Sequence, residues 1–379
     1  MKKVFYIKAY TKVNLGDDLF IKILCERYPM QDFVLYASPK YKKIYKTCKN
    51  LRICSKFYYI TNIFGKIAHK LKMVNILKNY IERKIIKKVD AIIIIGGSLF
   101  IQNGLSKSRT KVKIEEDKEI LKNNKPVFLI GSNFGPYTDE EFYKSYKKLF
   151  VKYEDVCFRE EASYNLFSDL KNVRFASDVV FGYNCKNNKK KLKNKEIIIS
   201  VMDFRRKEEL KKFANDYEEK IIKIIKYFSD KNFSITLIGF CSLEGDNKAI
   251  NNILKKYYNK FGRKTKIKGY LYSGNINECM NIIKNSSYMI ATRFHSMVLG
   301  YVCENNVFSF AYSQKTTNVL KEIGQESNMC EISNINNLKE EEIYNKLMNF
   351  NKIHLNIIID KSKNQFEGID NYLKGEQYE

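Results

Sequence analysis

The chain has 379 residues, enough for two domains rather than one core; 44% of it is hydrophobic, which excludes wholesale disorder. Lys and Arg number 68 against 42 Asp and Glu, a formal net charge of +26. The excess is mostly Lys scattered among Asn and Ile, without a basic amphipathic arm or aromatic-interleaved strand, so nucleic acid is not an expected partner, whereas phosphorylated substrates and anionic lipid headgroups suit such a surface.

Short apolar runs open the chain at Val4–Tyr10, Phe33–Tyr36, Ala91–Ile95, Val127–Ile130 and Val156–Phe158, and each reads as a buried strand. Helical patterns lie between them at Asp17–Tyr28, Ile63–Lys87 and Glu140–Lys152. The stretch Asn184–Lys195 is polar, cationic and aperiodic, and is expected to link a domain over residues 1–183 to a second over 196–379. The rhythm then restarts with strands Ile197–Met202, Ile235–Gly239, Tyr288–Thr292 and Val307–Ala311. The helices Glu208–Phe228, Asp246–Phe261 and Ser296–Glu304 alternate with them, and a helical tail runs over Leu338–Leu373. Strands alternating with helices predict an α/β fold of two Rossmann-like, doubly wound domains with parallel sheets, expected to face each other across a cleft.

Nine cysteines, an odd number with no CxxC and mostly within apolar stretches, suggest a reducing compartment and no disulfide framework or zinc site. Met1–Tyr10 begins like a signal peptide, but Lys8 interrupts its apolar segment. Ala91–Ile95 is far too short to span a bilayer. A cytoplasmic protein is expected, and its charge is compatible with peripheral contact at the inner face of the membrane.

The chemistry-bearing residues fall where strands end. Asn14-Leu15-Gly16-Asp17 follows the first strand: Gly16 permits close backbone approach, and Asp17 either caps the helix or accepts a proton. Gly96-Gly97-Ser98 can turn backbone N–H groups toward an oxygen-rich ligand, although no GxGxxG or GK[ST] pattern specifies a nucleotide. Gly131-Ser132-Asn133-Phe134-Gly135-Pro136 forms a third such loop. Arg159 stands at a strand-to-helix junction, either as a fork for a carboxylate or phosphate or paired with Glu160, Glu161 or Asp178. Arg293-Phe294-His295-Ser296 is the most informative segment: a guanidinium for an anion and, two residues on, an imidazole able to move a proton beside a helix N-terminus. His69 and His354 lie in Lys-rich surroundings and are expected to be solvated; Lys315 opens a later helix.

Taken in order, N-x-G-D, G-G-S, G-x-x-x-G-P, R-E-E-x-S, A-S-D, R-x-H-S and A-Y-S-x-K resemble the polysaccharide pyruvyl transferase family from Asn14 to Lys315. The resemblance implies a fold like that of B-type glycosyltransferases, phosphoenolpyruvate as donor, and a pair of sugar hydroxyls as acceptor, on a cell-surface glycan or its precursor, whether lipid-linked or polymeric. It places Arg293 and His295 on the donor site and Arg159 on the family's strand-end arginine. Two departures, Gly-Gly-Ser where three glycines are commoner and Phe134 where a small or polar residue is usual, fall on the expected acceptor side. Read as chemistry, Arg293, Arg159 and Lys315 supply cations for the donor's carboxylate and phosphate, His295 serves as general acid or base, and Asp17 is the expected acceptor-side base. Asn14, Gly16, Gly96, Gly97, Ser98, Asn133 and Ser296 complete the expected site. This chemistry calls for no metal or other cofactor. The alternative is a B-type glycosyltransferase with a nucleotide-sugar donor.

Overall fold

Thirteen strands account for two all-parallel sheets in the computed structural model, which describes residues 2–56, 58, 73–185, 195–263, 267–351 and 353–375. In the first sheet, β1 (Val4–Ala9), β2 (Asp32–Tyr36), β3 (Leu51–Cys54), β4 (Ala91–Ile95), β5 (Val127–Ser132), β6 (Asp155–Phe158) and β7 (Val173–Phe175) lie in the order β3-β2-β1-β4-β5-β6-β7. In the second, β8 (Glu196–Ser200), β9 (Ser234–Gly239), β10 (Ile267–Leu271), β11 (Tyr288–Ala291), β12 (Asn306–Ala311) and β13 (Met329–Glu331) lie in the order β10-β9-β8-β11-β12-β13. Each sheet starts in its middle, grows to one side, then returns and grows to the other. The strand order therefore reverses between β1 and β4 and again between β8 and β11, the points at which open α/β sheets take up ligands.

Burial explains the apolar runs. All five residues of β4 are buried between β1 and β5, and a parallel strand covered on both faces needs no polar alternation. The four strands absent from the sequence expectation are β3, β7, β10 and β13, the four edges of the two sheets. Their sequences LRIC, VRF, IKGYL and MCE are short or polar-interrupted and mostly half-buried, so they lack a continuous hydrophobic signal.

The chain divides into two compact units, one of Met1–Thr11, Asp17–Gly182 and Ile359–Glu379, the other of Lys12–Gly16 and Tyr183–Ile358. The main change of unit lies between Gly182 and Tyr183, and residues 186–194 of the expected linker lie outside the described residues. The expected second domain of 196–379 needs correction at its end, because the segment from Ile359 belongs to the first unit. Specific polar bonds hold it there: Tyr28 donates to the Asp370 carboxylate at 2.7 Å, the Arg174 guanidinium donates to the Gln365 carbonyl at 3.1 Å, and Gln365 is wholly buried. Lys12–Gly16 belongs to the second unit, where the Leu15 N–H donates to the Phe240 carbonyl at 3.3 Å.

The cysteine reading is also corrected. Cys185 and Cys303 are joined by a disulfide, with Cα atoms 5.4 Å apart. Each lies in a different local context, 118 residues apart, so no spacing motif announces the pair. Among the described residues no helix is long and apolar enough to cross a membrane.

Candidate active site

In the second unit, β11 ends at Ala291 and the helix Phe294–Val302 follows, with Arg293 as its N-cap residue in extended conformation. This turn brings together six of the expected residues. The Arg293 guanidinium donates from Nε to Asp246 Oδ2 at 2.7 Å, from Nη1 to Glu244 Oε2 at 2.5 Å, and from Nη2 to the other Asp246 oxygen. Asp246, wholly buried at the head of the helix Asp246–Phe261, also accepts the N–H groups of Phe240 and Cys241 at 2.7 and 2.9 Å. Arg293 is thus not a bare fork awaiting an anion; it is buried and chelated by carboxylates. Burial alone would lower its pKa, but Asp246 and Glu244 outweigh that and hold it firmly protonated. Burial likewise pushes the Glu244 carboxyl up, and Arg293, Lys207 and the Asn14 amide together pull it below its ordinary value.

Asn14 joins this group from the loop after β1. Its Nδ2 donates to Glu244 Oε1 at 3.2 Å, and its Oδ1 accepts the Gly16 N–H at 3.1 Å. That bend lays the Gly16 Cα against the imidazole of His295, so that a Cβ at position 16 would overlap the ring. The glycine of N-x-G-D is required by this approach, not by a left-handed backbone. Ser296 is buried, and its hydroxyl donates to the Arg293 carbonyl at 2.6 Å, closing the turn. The Lys315 ammonium sits 4.9 Å from the centre of the Phe294 ring. Behind the turn, Thr292 Oγ1 shares a 2.9 Å hydrogen bond with the buried Tyr217 hydroxyl, fixing the backbone that leads into Arg293.

In the first unit a second group surrounds Arg159, whose side chain is 2% exposed. Its Nη1 donates to Asp178 Oδ2 at 2.8 Å, and its Nη2 donates to Asn133 Oδ1 at 2.7 Å and Ser98 Oγ at 3.3 Å. Of the partners open to Arg159 in the sequence, Asp178 pairs with it, and its other oxygen accepts the Val180 N–H at 2.8 Å. Ser98 donates to Asn133 Oδ1 at 3.1 Å, and the Asn133 N–H donates to the Gly97 carbonyl at 2.7 Å. A Cβ on Gly97 would overlap the Arg159 guanidinium, which explains the second glycine of G-G-S. Gly96, at φ 144°, lies beside Asp17, whose Oδ1 is 3.5 Å from where a Gly96 Cβ would stand. Phe134 points away from this group into the core, ringed by Phe100, Phe142, Tyr146, Phe150 and Phe167. Its departure from the family pattern is therefore a matter of packing.

The structure places Arg293, His295, Ser296, Asn14, Gly16 and Lys315 in the second unit, and Asp17, Gly96, Gly97, Ser98, Asn133 and Arg159 in the first. Sequence reading overlooked Glu244 and Asp246, which lie 49 and 47 residues from Arg293. The signal available was the Glu244-Gly245-Asp246 turn in the loop between β9 and its following helix, beyond a strand end like the others.

The Gly16–His295 packing is directly testable. Gly16→Ala should swing the imidazole aside without unfolding the unit, since Gly16 does not occupy the left-handed region and overpacking typically costs about 1–3 kcal/mol. The chain has only three histidines, so imidazole NMR resonances can be assigned by His295→Gln. The His295 resonance should move in Gly16→Ala while the other two stay; an unmoved signal refutes the contact.

The polysaccharide pyruvyl transferase family profile matches residues 14–314, a span that begins at Asn14 and encloses both groups. The chain belongs to the polysaccharide pyruvyl transferase family. A curated relative of this pyruvyl transferase family chain is the amylovoran biosynthesis protein AmsJ of Erwinia amylovora, 22% identical over 259 residues, or 63% of this chain. The chain spans 60% of the length of that relative. Among solved structures, Alr3699/HepE of Anabaena, in complex with UDP and glucose, is similar with a TM-score of 0.57 at 11% identity, over 99% of this chain and 100% of that one. The UDP-GlcNAc 2-epimerase of Methanocaldococcus jannaschii gives 0.59 at 10% identity, over 98% and 100%. At these identities the likeness shows the fold, which is that of the B-type glycosyltransferases and related epimerases: two α/β domains with parallel sheets.

Proposed function

We propose that this pyruvyl transferase family member moves the pyruvyl group of phosphoenolpyruvate onto two hydroxyls of a glycan sugar, forming a cyclic ketal in polysaccharide biosynthesis. The observation that carries the reading is the grouping of His295 with Arg293, Glu244, Asn14 and Gly16 at the end of β11, inside the span matched by the family. His295 gives a proton to the methylene carbon of the donor, and the adjacent carbon becomes oxocarbenium-like. One sugar hydroxyl adds there, the C–O bond to phosphate breaks, and the second hydroxyl closes the ring. Of the two protons released by the hydroxyls, one restores the imidazole and the other leaves with inorganic phosphate. The positive end of the helix Phe294–Val302 suits the donor's anionic groups, and Lys207 and Lys315 add charge that Glu244 and Asp246 draw from Arg293. Asn133, Ser98 and Asp17 offer hydrogen-bonding groups of the kind that hold sugar hydroxyls.

The relationship to a protein named for amylovoran biosynthesis agrees with a polysaccharide product. A second reading, a nucleotide-sugar glycosyltransferase, is favoured by the fold it shares with structures solved with UDP. Ligand-induced stabilisation separates the two, because a ligand at 100 times its Kd adds about 2.7 kcal/mol to the state that binds it. Phosphoenolpyruvate should raise the melting temperature, while UDP and UDP-glucose leave it unchanged. The reverse pattern would replace the first reading with the second.

A further inference from the structure

From the C-terminal segment of the first unit we infer that Gln365 is a positioning residue for the Arg159 group, a role that rests on the pyruvyl transfer reading for its chemistry but not for its geometry. Gln365 is wholly buried and all three hydrogen-bonding positions of its carboxamide that the fold addresses are used. Its Oε1 accepts the Gly131 N–H at 2.8 Å, and its Nε2 donates to the carbonyls of Phe158 at 3.1 Å and Ala176 at 2.6 Å. These backbone groups belong to the ends of β5 and β6 and the residue just past β7. Gly131 stands two residues before Asn133, Phe158 one before Arg159, and Ala176 two before Asp178. One side chain therefore ties together the three loops whose side chains meet at the Arg159 guanidinium.

The irregularity between Ile130 and Ser132 explains why a side chain is needed. It leaves the buried Gly131 N–H out of step with β6, and a buried backbone N–H requires a partner from elsewhere, while the Phe158 carbonyl, which also accepts the Ala176 N–H at 3.0 Å, takes a second donor. An amide supplies a donor pair and an acceptor in one rigid plane, which neither a carboxylate nor a lysine can do. The segment that carries it is itself anchored on both sides. Arg174 donates to the Gln365 carbonyl at 3.1 Å and holds Asp155 in a fork at 2.6 and 2.8 Å. A Cβ at Gly368 would overlap the Asp155 carboxylate, so this glycine lets the final helix seat closely. The distance in sequence, 206 residues from Arg159, puts Gln365 well beyond the family-matched span, which ends at 314.

Two variants of the full chain test the role. Gln365→Glu keeps the shape and the acceptor toward Gly131 but turns a carboxylate oxygen on the Phe158 and Ala176 carbonyls; Gln365→Ala removes the amide. Hydrogen exchange is read by mass spectrometry on peptides covering residues 131–135, 159–163 and 176–181, with second-unit peptides as control. Exchange in these three loops should rise by about ten-fold or more in both variants while the second unit is unchanged, as expected when buried backbone groups lose their partner. Phosphate release from phosphoenolpyruvate, with a panel of methyl hexopyranosides as acceptor probes, should fall about ten-fold in kcat, with the KM for phosphoenolpyruvate changed by less than about three-fold. Unchanged exchange in the loops of Gln365→Glu overturns the positioning role, whatever the donor. Raised exchange with full turnover overturns its importance to the site. If the wild type releases no phosphate, the functional reading fails, while raised loop exchange still upholds Gln365 as the residue that positions this group.

Discussion

His295→Gln should lose turnover about as completely as His295→Ala, by 10² or more, while both variants keep the fold and most of their affinity for phosphoenolpyruvate. The factor is the usual worth of one positioned acid–base group. Glutamine can keep a hydrogen bond but cannot carry a proton, so the pair of variants separates catalysis from orientation, which alanine alone does not. His295 is partly buried against Gly16 and Phe294, and neither substitution removes core volume comparable to a buried aromatic. Single-turnover phosphate release from phosphoenolpyruvate, with the acceptor saturating, measures the step. Turnover by His295→Gln within a few-fold of wild type would mean that the imidazole only orients the donor, and the acid would then have to be another group.

Arg293→Ala should strongly destabilise the second unit. Asp246 is wholly buried, and without the guanidinium it keeps two backbone N–H bonds but loses its counter-charge. Breaking a buried ion pair from one side typically costs about 3–5 kcal/mol. The Glu244 side chain is 35% exposed, so its arm of the pair is screened by water and adds little to that figure. The remaining charge matters for the donor. Removing the arginine takes the positive member from the triad and leaves only carboxylates where a phosphate and a carboxylate are proposed to bind. Phosphoenolpyruvate affinity should therefore fall at least ten-fold, by calorimetry at a temperature where the variant is still folded. Arg293→Lys should recover part of the stability and little of the binding, because an ammonium cannot span both Asp246 oxygens. Stability unchanged in Arg293→Ala, by denaturant unfolding, would show that the Asp246 chelate is not a structural element of this turn.

Much of the architecture was legible because parallel strands buried on both faces leave uninterrupted apolar runs; Ala91–Ile95 was read to the residue. The edges were not, since β7 and β13 are three residues long and β10 holds a glycine and a lysine. The candidate residues were sought at strand ends because ligand-binding loops follow them, and each expected motif does follow a strand. What sequence could not supply was pairing across the fold. That Arg293 is chelated by Asp246 depends on β9 and β11 flanking β8, which no local pattern encodes. The same holds for Cys185 and Cys303, and for Gln365, whose partners lie 189 to 234 residues away.

The division of the chain has a consequence for how such proteins can be recombined. The first unit is assembled from three stretches and the second from two, with the chain changing unit after Thr11, Gly16, Gly182 and Ile358. A single crossover near residue 183 between two members of the family would join one parent's Gly131, Phe158 and Ala176 to the other parent's counterpart of Gln365. It would also join one parent's Asn14 and Gly16 to the other's Glu244 and His295. Exchange of acceptor or donor preference by swapping halves is thus constrained at two seams far from the apparent boundary. Viable hybrids would carry the terminal segment with the first half and the Lys12–Gly16 stretch with the second, so that inheritance in this fold follows the contacts rather than the order of the gene.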